Sequence, residues 1–509
     1  MDDRNIDSDI YAQRYSKEGI TMEKNFKIND DQVSAWQTRP SLSIDGEGNY
    51  VIAWEDNRFR DVDIYAQRYS YDGTALRTNF KVSDDQGSAT QSFPSVSTDA
   101  SGNFVITWWD ERNGYGNWDI YAQRYSSDGT ALGTNFRVND DQGDTEQDFP
   151  SISIDSSGNF VIVWEDHRNE NFDIYAQRYS YDGTALGSNF IVNDDEGSAY
   201  QINPSISTDR SGNFVIIWGD GRIDGGIYAQ RYSSDGTALG TNIKVNDDQG
   251  KICSGMLYIC IDISTDGTGN YVITWEDSRN GECDIYAQRY SNNGTAIGTN
   301  FVVNDVLGSA VPIHGGPSVC MDTVGNIVFT WVDKHNGGSD IYAQRYSSDG
   351  TAIGNNFRVT NTSNKEKHSP AVILWNDRIY CTWTDSRAGG TGFDIWANVL
   401  DWESPTEITN KEIPPMPSEY ILHQNYPNPF NSTTKISYTT ANESYVELSI
   451  YNLKGQQIQT LVKGEQFAGS YDIFWNGRSE YGELVPSGVY IYQLNTSEGV
   501  FSRKMILVK

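Results

Sequence analysis

One octapeptide, Asp-Ile-Tyr-Ala-Gln-Arg-Tyr-Ser, constrains this chain more than any other feature, because it keeps returning. Its first residue is Asp9, Asp63, Asp119, Asp173, Asp284 and Asp340. One further copy opens on Gly226, and a degenerate last copy, Asp-Ile-Trp-Ala-Asn-Val-Leu, opens on Asp394. Successive copies lie 53 to 58 residues apart. A fixed period of this length marks one supersecondary unit that stacks on copies of itself, as in solenoids and propellers.

Each unit reads as four short strands. In the unit from Pro94 the strands are 94–99, 103–108, 119–126 and 135–139, separated by Gly, Asp, Asn and Ser clusters. The runs are β-branched and aromatic and show no helical period, which gives an all-β reading. Four strands in about 55 residues is the size of a propeller blade. Second-strand tryptophans number seven: Trp54, Trp108, Trp164, Trp218, Trp275, Trp331 and Trp383. The last unit lacks an evident fourth strand, and the strand around Phe26 is expected to supply it and close the ring. That leaves the strand from Ile10 to Ser16 over. Met1-Asp-Asp-Arg-Asn resembles the tail of another second strand, so we expect the parent chain to extend further. Seven blades are expected and eight stay open, with a signal peptide upstream.

Charge narrows the partners. Against 38 Lys and Arg stand 69 Asp and Glu, a net −31. Nucleic acid is excluded, since it demands a basic footprint. No apolar run of about 18 residues is present, so no membrane span is expected. The five histidines (167, 314, 335, 368, 423) are scattered and no CxxC occurs, so zinc is not expected. Three of five cysteines fall between Cys253 and Cys283, where a local disulfide and buried free thiols are the competing readings.

Residues 404–418 are Pro-rich and read as a linker between a propeller (1–403) and a C-terminal module (419–509). That module has 8 acidic and 7 basic residues, so the repeat and linker carry −30 of the charge. Its strands are expected at 435–438, 445–451, 457–462, 469–475, 488–494 and 501–508, a small β-sandwich.

Five ordered motifs in the module carry a resemblance. They are Asn425-Tyr-Pro-Asn-Pro-Phe-Asn431, Val446–Gln456, Trp475-Asn-Gly-Arg478, Pro486–Tyr492 and Lys504–Lys509. Together they resemble the type A sorting domain of type IX secretion, which is similar to the immunoglobulin-like domain of flagellar hook-capping proteins. The resemblance implies export to the surface of a Gram-negative bacterium or beyond it, with the secretion machinery as partner. Its sorting motif here would be Tyr426, Pro427, Asn428, Pro429, Phe430 and Asn431. The repeats resemble acidic repeats of secreted bacterial proteins. The Ser-x-Asp-Gly-Thr turn is loosely similar to the sialidase Asp-box but lacks its spacing and closing Trp, so no catalytic residue is carried over.

Within the repeat, Trp-x-Asp-x-Arg is the most regular polar motif. It supplies Asp56/Arg58, Asp110/Arg112, Asp166/Arg168, Asp220/Arg222, Asp277/Arg279 and Asp385/Arg387. A catalytic carboxylate pair needs asymmetry, so a motif repeated in nearly every blade reads as a structural pair, pinning its loop or joining neighbouring blades. Unrepeated aromatics on the long-loop face (Trp36, Tyr115, Trp118, Phe172, Tyr200 and Tyr258) are the candidate ligand platforms. The pairs Asp30/Asp31, Asp84/Asp85, Asp140/Asp141, Asp194/Asp195 and Asp247/Asp248 could offer oxygens to calcium or form a solvated acidic rim. No other cofactor is expected. The overall reading is an all-β exported protein: a β-propeller followed by an immunoglobulin-like sandwich. The expected role is non-catalytic binding of a glycan or protein. The alternative is a polysaccharide hydrolase or lyase, to be told apart by unrepeated carboxylates, Tyr or His at the channel mouth.

Overall fold

The computed structural model of the protein describes residues 37–402 and 420–508, with the exceptions that follow. In the first stretch these are 59–60, 72–73, 86, 142, 196, 223–224, 248–259, 280, 282, 306–309, 311–315, 335–338, 361–366 and 386–393. In the second they are 432, 441–443, 467–468, 481–483 and 497–498. Ahead of both lie two described backbone pieces, Tyr11–Ala12 and Phe26–Lys27. The chain divides into two compact units, Met1–Glu407 and Ile408–Lys509. All regular structure among the described residues is strand.

The first unit is a β-propeller. Among the described residues it holds six four-stranded antiparallel sheets and one of three strands. Blade 2 shows the pattern, with strands Gln91–Thr98, Phe104–Asp110, Asp119–Tyr125 and Phe136–Arg137. First strands of successive blades touch, and that of blade 7 (Lys367–Trp375) touches that of blade 1 (Gln37–Ile44). The first strands are therefore innermost and the ring closes at seven blades. The Tyr11–Ala12 piece, expected to be left over, is the one that lies against the third strand of blade 7, Asp394–Asp401. Phe26–Lys27 pairs with it, Tyr11 opposite Lys27, in the register of Tyr121 opposite Arg137 in blade 2. A third strand thus keeps its own fourth strand, and the pair packs as one piece.

Each position of the octapeptide has a job, and blade 2 illustrates them. Ile120 and Ala122 are fully buried between blades. Asp119 accepts from Asn139 Nδ2 (2.6 Å) and Arg137 Nη1 (3.2 Å). Tyr121 lies under the Arg112 guanidinium, 4.1 Å from its ring centroid. Gln123 donates to the carbonyls of Arg124 and Gly133 and accepts from Asn135. Arg124 reaches into blade 3 and donates to the Tyr181 carbonyl at 2.8 Å. Tyr125 stacks on Phe104 (4.7 Å) and meets Phe80 of blade 1 (5.3 Å). The strand cannot drift, because nearly every side chain is satisfied by a specific partner.

Small hydroxyl residues suit the axis, where strands converge. Ser41 and Ser43 accept from the backbone N–H groups of Val96 and Thr98 in blade 2, and Ser97 from Ile154 in blade 3. At the opposite end of these strands Asp45 holds its turn by accepting from the N–H groups of Glu47 and Asn49. The Asp45 carboxylate also approaches Gly102 of the next blade so closely that a Cβ there would sit 2.9 Å from it.

The second unit is a sandwich. Its sheets are Ile421–Leu422, Thr434–Thr440, Gly469–Trp475 and, in spatial order, Gln457–Gln466, Ser444–Asn452, Gly488–Thr496, Gly499–Leu507. Ile436, Tyr438, Leu448, Ile450, Trp475, Tyr492 and Leu494 form their shared core.

Candidate functional site

On the rim, the Trp-x-Asp-x-Arg residues form one repeated cluster. Asp110 is wholly buried and accepts from Trp108 Nε1 (2.9 Å), the Arg112 N–H (2.9 Å) and Arg112 Nη2 (2.7 Å). The same three-donor arrangement surrounds Asp56, Asp166, Asp220 and Asp277, with Arg58, Arg168, Arg222 and Arg279 as the respective arginines. The Asp385 side chain and Arg387 lie outside the described residues. In blade 6 Trp331 still donates to Asp333, and position 335 is undescribed.

Most of these arginines also cross to the preceding blade. Arg112, Arg168, Arg222 and Arg279 reach Asp84, Asp140, Asp194 and Asp247 at 2.7, 2.8, 3.2 and 2.9 Å. The first Asp of each of these pairs therefore meets a guanidinium. In blade 1 the described contacts of Arg58 show how the motif holds its own loop. Arg58 Nη2 and Nε donate to Asp56 at 2.7 and 3.0 Å, and the guanidinium lies 4.1 Å over the Tyr65 ring. All three residues belong to blade 1, so these contacts pin the loop of that blade. The Asp in the position equivalent to Asp84 is Asp30, which lies outside the described residues, as do Asp31 and Asp248. Of the second members, Asp85 lies 3.5 Å from Lys81, Asp141 accepts from Asn139, and Asp195 is half-buried. Among the described residues no three His, Cys, Asp or Glu are placed to hold a metal ion.

The unrepeated aromatics divide. Tyr115 is fully exposed. Trp118 stacks on Trp109 at 5.0 Å and donates to Glu111 at 2.8 Å. Phe172 stacks on His167 at 4.6 Å. Tyr200, 42 % exposed, covers Gly221, where a Cβ would meet its ring at 2.8 Å. Trp36 and Tyr258 lie outside the described residues. Trp118, Phe172 and Tyr200 thus each pack beside a variable residue of the rim motif or its neighbour.

A second constellation lies where the innermost strands begin, and the sequence reading missed it. Five of these strands bulge ahead of a Pro, and the bulged residue takes a left-handed φ: Arg39 (50°), Phe93 (54°), Phe149 (49°), Asn203 (51°) and Ser369 (49°). Non-glycine residues rarely adopt this conformation. The Glu before the rim Asp secures it from the preceding blade. Glu55 accepts from the Phe93 N–H (2.9 Å) and the Ser92 hydroxyl, and Glu165 from the Asn203 N–H (2.5 Å). In blade 2 that Glu is replaced by Trp109, and the Phe149 N–H donates instead to Asp148 (2.7 Å). Asp148 thereby faces Glu165 across the strand pair of blade 3.

Burial pushes the Asp148 carboxyl up to about 7 and holds Glu165 well above the usual carboxylate range. The Phe149 N–H and the Arg39 charge oppose this at Asp148 while Glu146 and Glu55 add to it, and at Glu165 the Asn203 N–H opposes it while Asp148 adds to it. Phe149, next in sequence to Asp148, meets Phe93 at 4.4 Å. The Arg39 guanidinium lies 4.2 Å over Phe93 and donates to both Glu55 oxygens at 3.1 and 2.9 Å. The signal was present in the sequence: Asp148 stands where four other blades have Thr38, Ser92, Ile202 and His368. It becomes meaningful only once the register places Asp148 opposite Glu165.

In the C-terminal unit Asn425 and Phe430 are buried, while Tyr426 is 78 % exposed and Pro427, Asn428, Pro429 and Asn431 are exposed. Asn425 donates to Thr434 and to the Pro427 carbonyl, and Asn428 accepts from the Ile506 N–H.

Residues 425–499 match the family described as FlgD Ig-like domain. No curated protein matches the chain. Among solved structures, a protein of unknown function from Dyadobacter fermentans is 11 % identical, with 77 % of this chain and 97 % of that one covered and a TM-score of 0.43. An α-L-arabinanase of Penicillium chrysogenum complexed with arabinobiose is 12 % identical (62 % and 94 % covered, TM-score 0.41). The polysaccharide lyase Uly1 is 9 % identical (78 % and 98 % covered, TM-score 0.46). Overlaps this weak say nothing of substrate.

Proposed function

We propose that the propeller cleaves an extracellular polysaccharide at the innermost-strand mouth of blades 1 to 4, with Asp148 passing the proton. One observation carries this: an unrepeated, buried carboxyl pair, Asp148 and Glu165, with the rings of Phe149 and Phe93 beside it. A group that holds its proton near neutral pH suits acid–base work on a glycosidic oxygen, and rings flanking it suit the apolar faces of sugars. The test is release of reducing or unsaturated ends from a panel of polysaccharides, with Asp148→Asn as control. Product formed equally by the variant would remove Asp148 from the chemistry.

A second reading, glycan or protein binding without turnover, draws on the near-complete burial of both carboxyls: Asp148 is 9 % exposed and Glu165 4 %. Binding without product would favour it.

We further propose that residues 419–509 direct export through type IX secretion machinery to the cell surface or medium. The match at 425–499 supports an immunoglobulin-like domain there. The disulfide-bonded state of Cys283 supports an oxidising compartment. Cleavage within 404–418 of secreted protein is the expected outcome, and mature protein that keeps 419–509 would count against this role. A calcium role for the Asp pairs is also a proposal, and it must compete with the arginines that hold Asp84, Asp140, Asp194 and Asp247. No melting shift between millimolar calcium and chelator would remove it.

A further inference from the structure

Arg39 differs from its equivalents in a way the fold does not require. The bulged positions described at the mouth are Arg39, Phe93, Phe149, Asn203 and Ser369, and Arg39 is the charged one. All five share the left-handed backbone, so that conformation is a property of the bulge and not of arginine. The Arg39 side chain is 48 % exposed, while its partner Glu55 is 1 % exposed. Its Nη1 donates to both Glu55 oxygens and its plane lies over Phe93. Among the described residues its Nε and Nη2 donate to no protein acceptor. An ion pair on one edge and a ring beneath hold the guanidinium in place, leaving open the two donors on its other edge.

We infer that Arg39 receives an anionic group, a uronate carboxylate or a sulfate ester, so that the polysaccharide taken at the mouth is acidic. This rests on the polysaccharide reading above. A planar guanidinium with two parallel donors matches both anions, and pre-organisation reduces the entropy lost on binding. Glu55 neutralises part of the charge, but its carboxylate is buried and turned to Nη1, Thr38 and the Phe93 N–H, away from the open edge. The overall −31 opposes a polyanion mainly at long range, which salt screens beyond about 8 Å at physiological ionic strength.

The experiment is calorimetric binding of a polyuronate, a sulfated galactan and an uncharged galactan to the full chain, repeated with Arg39→Gln and Arg39→Lys. The expected result is preference for the acidic polymers, lost by about tenfold or more in Arg39→Gln and partly kept in Arg39→Lys. Which acidic polymer binds separates carboxylate from sulfate. Uncharged polymer bound as tightly as the acidic ones, with Arg39→Gln weakening all equally or none, overturns the acidic specificity and leaves the polysaccharide reading standing. If no polymer binds, the polysaccharide reading falls and this inference with it. Retained affinity of Arg39→Gln for any neutral polymer bound by wild type shows that the variant mouth is folded.

Discussion

Arg112 grips two carboxylates at 2.7 Å each, Asp110 within its own blade and Asp84 in the loop leaving blade 1. The two contacts differ in what their loss exposes. Asp110 is wholly buried and Asp84 is 44 % exposed. Arg112→Ala strands a buried charge that keeps the Trp108 indole, a backbone N–H and a long contact from Gln91 Nε2 (3.5 Å), so it should cost about 3 kcal/mol. Asp84→Ala removes a solvent-screened partner and should cost less than about 1 kcal/mol. Denaturant midpoints of the two variants decide this; equal losses would mean that the inter-blade contact, not the buried Asp, carries the energy.

The pH dependence of stability should carry the signature of Asp148. Burial raises its folded pKa to about 7, above the 3.8 of an unperturbed Asp. Below about pH 4 both folded and unfolded chains hold the proton, and the group has no effect. From there to pH 7 the unfolded chain releases it while the folded chain keeps it, so stability falls as pH rises; above 7 the loss is complete. Asp148→Asn has no such proton. Its melting temperature relative to wild type should climb between pH 4 and 7 and then level off. Glu276, raised by burial to about 8, should behave alike, with Glu276→Gln gaining up to a pH unit higher. Parallel melting curves for variant and wild type across this range would refute the assignment.

How much of this was readable in the chain depends on the period of the signal. Ring, blade count and strand positions follow from the octapeptide and seven tryptophans, because each blade repeats the same burial and self-similarity amplifies the pattern. The rim motif was legible as a structural pair for the same reason, although its spacing could not say that Arg112 holds its own loop and joins two blades at once. What escaped was unrepeated and tertiary. Asp148 looks like an ordinary polar residue until its register opposite Glu165 is known, and Arg39 until Glu55 and Phe93 are seen to hold it. The N-terminal pair was misassigned because strand patterns specify a third and a fourth strand but not which of them meets blade 7. Trp118 and Phe172 were legible as unrepeated rings, but their stacking on Trp109 and His167 was not.

Two turn glycines separate backbone strain from crowding. Gly102 and Gly133 have φ of 86° and 84°, so Ala at either pays for a left-handed backbone, about 1–2 kcal/mol. A Cβ at Gly133 meets open space, whereas at Gly102 it would sit 2.9 Å from the Asp45 carboxylate and 3.2 Å from Ser127 Cβ. Gly102→Ala should therefore destabilise more than Gly133→Ala, the excess reporting how closely blades 1 and 2 approach. Equal melting losses would show that the joint yields without cost.

The exposed Tyr426–Pro429 segment can be separated from its anchors. Phe430 is 2 % exposed and packs 5.7 Å from Trp475, and its N–H donates to the Ile506 carbonyl at 3.0 Å. Phe430→Ala opens a cavity in the sandwich core and should cost about 3–5 kcal/mol, lowering the melting of the second unit by calorimetry. Tyr426→Ala removes a side chain that stands in solvent and should leave that melting unchanged. If the segment is read by export machinery, Tyr426→Ala should nevertheless lower the amount of protein reaching the medium, whereas a scaffold role predicts normal export. The decisive comparison is secreted yield against melting temperature. Loss of export with an intact second unit assigns recognition to the exposed face, and loss only in Phe430→Ala assigns the motif to folding alone.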